Sequence, residues 1–153
     1  MKKTILVSTA FALLASVVSL TSRADVPGDH PGYLHALSDL RAARWMINHR
    51  PGDYAIARHE GEAIQKIDAA ISDIRQAAID DGKNVDDHMP LDERPDRPGR
   101  LHAAADFLRH AHDDIAHEED NHFAHGLQHR ANADIDQAMR QVDMSIKDAS
   151  RGT

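Results

Sequence analysis

The chain has 153 residues, with 18 Lys+Arg against 25 Asp+Glu, 12 His and no cysteine, for a formal net charge of −7. Without cysteine there is no disulfide, no covalent c-type haem and no lipid-bearing N-terminal Cys. The acidic balance argues against a nucleic-acid partner, because phosphate binding needs clustered Lys and Arg. Aromatic residues make up only 4% of the chain, so its core must be mainly aliphatic, and its length is that of one domain.

The N-terminus reads as an export signal. Lys2 and Lys3 precede an uncharged stretch over residues 4–22, rich in Ala, Val, Leu and Ser, and Ser22-Arg23-Ala24 puts small residues at the two positions a signal peptidase reads. Cleavage after Ala24 leaves 129 residues with 15 Lys+Arg, 25 Asp+Glu and a net charge of −10, all twelve His included. A periplasmic or secreted location follows, with no membrane insertion once the signal is removed.

Periodicity then predicts four helices and no strand, an all-α antiparallel up-down four-helix bundle in residues 25–153. Helix one is expected over about 31–49, with Pro31 in its first turn. Arg50-Pro51-Gly52 breaks it, and Asp53 is the expected N-cap of a second helix over about 53–81, stopped by Gly82. Residues 83–99 form a charged linker with Pro90, Pro95 and Pro98, long for a bundle. Helices three and four follow over about 100–117 and 122–149. Apolar seams at alternating spacings of three and four support this: Leu34, Leu37, Leu40 and Ile47; Ala57, Ile64, Ile67, Ile71, Ile74 and Ala78; Leu101, Ala104, Leu108, Ala111 and Ile115; Leu127, Ala131, Ile135, Ala138, Val142, Ile146 and Ala149.

The two halves resemble each other. Residues 33–40 are echoed by 100–107: Leu34, His35 and Asp39 match Leu101, His102 and Asp106 at an offset of 67. Ile47, Ile67, Asp68 and Ile74 match Ile115, Ile135, Asp136 and Val142 at an offset of 68. The bundle is therefore expected to consist of two similar helical hairpins.

Chemistry concentrates in the histidines, six of which fall between His110 and His129. At about 100° per residue, His35, Asp39 and His49 point away from the seam of helix one. His102, Asp106, His110, Asp113 and His117 form a polar stripe opposite the seam of helix three, and His122, His125 and His129 lie opposite that of helix four. These are surface positions, unlike the inward His and Glu of di-iron bundles, and Glu119-x-x-His122 straddles a turn without a second copy. Imidazoles at i, i+4 with a carboxylate one turn away can chelate a divalent ion, and a neutral N/O set without thiolate suits Zn(II), Cu(II) or Ni(II). The candidate metal ligands are thus His102, Asp106, His110, Asp113, His117, His122, His125 and His129. One partly buried polar layer, of Arg44, Glu60, His112 and Gln128, is expected to set register, with a small ligand or metal pocket using Glu60 and His112 as the alternative.

No Gly-x-Ser-x-Gly elbow, Cys nucleophile or phosphate-cradling Gly-rich loop is present. The sequence reads as a non-enzymatic exported protein that binds or buffers divalent metal, or else as a helical bundle that docks a protein partner.

Overall fold

The computed structural model describes residues 32–49, 57–86, 99–116 and 124–151. These hold four helices and no strand: α1 (Gly32–Asn48), α2 (Arg58–Asp80), α3 (Arg100–Ala116) and α4 (His125–Arg151). The expected signal peptide and its cleavage site lie outside the described residues, as does Asp53. Among the described residues no helix is long and apolar enough to cross a membrane.

Local chemistry sets the ends of α2. Its N-cap is Ala57, whose N–H donates to the Glu60 carboxylate at 3.2 Å. The N-cap thus lies four residues after the expected Asp53, and the helix is held by the return arm of a capping box instead of a cap side chain. Its C-terminus closes on Gly82 at φ +72°, where Gly82 N–H donates to Ile79 O and Lys83 N–H to Ala78 O, both at 2.9 Å. This pair of bonds is a Schellman motif, and the left-handed residue it requires is the glycine.

α1 packs against α2 and α3, and α4 packs against the same two, so α1 and α4 occupy opposite corners of the bundle. Leu34, Leu37, Leu40 and Ile47 from α1, Ile67 and Ile74 from α2, Leu101, Phe107, Leu108 and Ile115 from α3, and Ile135 and Val142 from α4 fill the centre, with alanines between them. Burying each Leu, Ile or Phe contributes about 1.5–3 kcal/mol. Of the expected seams, Ile64, Ile71, Leu127 and Ile146 flank this core, while Ala57 and Ala149 are exposed.

Polar contacts fix which parts of the helices meet. Along α2, His59 bonds Gln141, Lys66 bonds Asp134 and Asp73 bonds Arg130. Arg44 pairs with Asp68 across α1 and α2, and Gln128 donates to the Ile115 carbonyl across α3 and α4. Arg100, the first residue of α3, reaches both the Ile47 carbonyl near the end of α1 and Glu60 near the start of α2. In the expected up-down order α3 would begin where α2 ends; instead it begins beside the start of α2. Glu60 and Asp80 are separated by 20 residues of helix, or about 30 Å. The chain from Asp81 to Gly99 must cover that distance, which explains why the connection is long.

Candidate functional site

The eight expected metal ligands divide into three groups. His117 and His122 lie outside the described residues, as does the side chain of His125. Asp113 and His129 are exposed, as expected. His102, Asp106 and His110 depart from expectation. Asp106 is only 7% exposed, and its α1 counterpart Asp39 only 2%; His35, His102 and His110 are half-buried.

The angle count fails here because it assumes one buried face per helix. Gly32–Leu40 and Leu101–Leu108 are buried at every position except His35 and His102. α1 and α3 each pack against two neighbours, and Ala36, Ala103, Ala104 and Ala105 let backbones approach closely, so the flanking carboxylates are covered too. Asp106 is also engaged by Arg109 one turn on, at 2.9 Å. The stripe His102/Asp106/His110 is therefore not an open chelating face. His102 instead lines a mainly apolar pocket of about 450 Å³ with Gly99, Leu101 and Ile146, between the start of α3 and the end of α4. Among the described residues no three His, Asp or Glu side chains converge as a metal set.

The expected polar layer also separates into parts. Glu60 and Gln128 are buried, at 2% and 4% exposure, but near the N-termini of α2 and α4, which the α2–α4 contacts put at opposite ends of that interface. Glu60 pairs with Arg100, not with Arg44. Arg44 turns outward to Asp68 at 2.6 Å, and His112 faces Asp136 at 3.8 Å.

Set against the 68-residue offset, these contacts match. Ile47 and Glu60 correspond to Ile115 and Gln128. In the second hairpin the Gln128 amide donates directly to the Ile115 carbonyl at 2.6 Å. Glu60 has no proton to donate, so Arg100 bridges its carboxylate to the Ile47 carbonyl. Likewise Arg44–Asp68 corresponds to His112–Asp136. Lys66 and Asp134 are themselves 68 apart and touch at 3.0 Å. A contact between equivalent positions is what a local twofold arrangement of two hairpins produces.

Sequence reasoning missed two pairings of an imidazole with a carboxylate across helix boundaries: His112, expected beside Glu60, faces Asp136, and His59 faces Asp148. His112 has Asp113 Oδ1 3.4 Å from Nδ1 and Asp136 Oδ1 3.8 Å from Nε2. His59 has Gln141 Oε1 2.8 Å from Nδ1 and Asp148 Oδ2 3.7 Å from Nε2. The signal for the first was available, since Arg44/Asp68 and His112/Asp136 share the repeat's offset. The second joins α2 to the far end of α4 and has no local spacing to reveal it.

Compared with known protein families, curated proteins and solved structures, the chain matches none.

Proposed function

We propose that this chain is an exported, non-enzymatic helical bundle that binds or buffers divalent transition metal, Zn(II), Cu(II) or Ni(II), mainly on its second hairpin. In this reading the signal over residues 1–24 directs the protein to the periplasm or outside the cell. Two similar hairpins then pack with every helix running opposite to its two neighbours, which the matched contacts 68 residues apart support.

The observation that carries the metal reading is the exchange of Arg44–Asp68 for His112–Asp136. The first hairpin holds a permanent cation against its carboxylate. The second holds an imidazole whose Nε2 stands 3.8 Å from Asp136, beyond hydrogen-bond reach. Metal arms of about 2.1 Å place two tetrahedral ligands roughly 3.4 Å apart, so a small adjustment brings both onto one ion. Asp113 and His129 are exposed on the same hairpin, and His117, His122 and His125 belong to it in sequence.

Calorimetric titration of the purified protein with Zn(II), Cu(II) and Ni(II) tests this. Binding with a dissociation constant of about 10 μM or tighter, near −7 kcal/mol, is expected, and replacing His122, His125 and His129 together with Ala should weaken it without lowering the melting temperature. Absence of binding at that affinity overturns the proposal. Unfolding by the triple change would place those side chains in the core instead.

A second reading, docking of a protein partner, draws on Trp45. The chain's only tryptophan is 54% exposed and stacks on His49 with ring centroids 4.2 Å apart. Exposed aromatic anchors of this kind are common at interfaces.

A further inference from the structure

We infer that His59 and Asp148 form a second divalent-cation site, bridging α2 and α4, outside the eight residues whose pattern suggests metal binding. It rests on the metal-binding reading above but on a separate set of atoms.

The argument begins with the ring's proton. Gln141 Oε1 lies 2.8 Å from His59 Nδ1, and an amide oxygen only accepts, so Nδ1 carries the hydrogen. In the neutral ring, Nε2 is then left with its lone pair. That nitrogen faces Asp148 Oδ2 at 3.7 Å, and Asp148 is more than half exposed. With Nε2 unprotonated, a divalent ion between these two acceptors is held by both, and the separation suits arms of about 2.1 Å. Gln141 also performs the usual duty of an outer partner to a metal-bound imidazole, fixing the tautomer and the ring plane.

The surrounding charges allow this. Glu62 lies 3.8 Å from Nδ1, adding negative charge, and is itself paired with Arg58 at 3.2 Å. His59 is largely shielded while Asp148 opens to solvent, so an ion would be bound at the rim with water completing its coordination. The helices are already joined nearby by Lys66–Asp134, so the two ligands are held close without metal.

Two-bond ¹H–¹⁵N spectra of the imidazoles, recorded during Zn(II) titration of the purified protein, test the site, with His59→Gln identifying the His59 signals. The Nε2 resonance of His59 should move saturably. In Gln141→Leu the zinc concentration at half-effect should rise about tenfold, the scale of an outer-partner loss, and in Asp148→Asn, which removes a ligand carboxylate, by at least as much. A His59 signal that stays fixed while other imidazoles respond overturns this site and leaves the second-hairpin reading standing. The same result follows if the two variants respond as the unsubstituted protein does. Fixed resonances for every imidazole up to 1 mM zinc, about −4 kcal/mol, overturn both.

Discussion

Arg100→Ala is expected to destabilise the protein by about 3 kcal/mol, because it strips a guanidinium paired with the buried Glu60 carboxylate. Arg100 also satisfies the Ile47 carbonyl near the end of α1 at 2.9 Å, so one side chain joins three helices at one end of the bundle. For a domain of this size the loss corresponds to roughly 10 °C in melting temperature. The second hairpin suggests the remedy. Gln128 stands where Glu60 stands in the first, and it donates to the Ile115 carbonyl unaided. Adding Glu60→Gln to Arg100→Ala removes the buried charge and supplies an amide that can donate to Ile47, while its oxygen can still accept from Ala57 N–H. The double variant should recover at least half of the lost stability in urea unfolding. A double variant as unstable as Arg100→Ala, or less stable, would show that the two hairpin ends are not equivalent.

Phe107→Ala should cost about 3–5 kcal/mol. Phe107 is among the largest buried side chains, and it lies on α3, whose first half is buried almost all round. Its repeat counterpart is Leu40, also fully buried. Phe107→Leu therefore introduces the residue that the first hairpin already uses and should cost about 1 kcal/mol, in the range of tolerated apolar exchanges. Equal losses for the Ala and Leu variants, measured by urea unfolding, would mean that the site is specific for an aromatic ring and not a repeat of the Leu40 environment.

The helices were legible because their punctuation is chemical: Gly82 adopts the left-handed backbone that ends α2, and α3 begins at Arg100, immediately after the glycine that follows Pro98. The faces were less legible. Counting angles from one apolar seam turns His35, Asp39, His102 and Asp106 outward, because a seam count does not detect a second buried face on α1 and α3. The order of packing was hidden for a related reason. A long charged linker is compatible with a loop at one end or with a return along the bundle, and only Arg100 meeting Glu60 distinguishes them. The repeat is visible in the sequence, but its contacts are not. It pairs Arg44–Asp68 with His112–Asp136 and Glu60 with Gln128, whereas a single shared layer was expected. His59–Asp148 could not be read at all, since its partners come from distant parts of the chain and belong to no repeat.

On the proposed metal reading, one ion-pair position, present in both hairpins, stayed structural in the first and became a ligand site in the second. Zinc stoichiometry of the reciprocal variants, measured by calorimetry, tests it most directly. His112→Arg should fold as well as the unsubstituted protein, form the Arg44-type pair with Asp136, and bind one zinc ion fewer. Arg44→His should bring an imidazole to Asp68 and bind one more. Unchanged stoichiometry in both variants would contradict the claim.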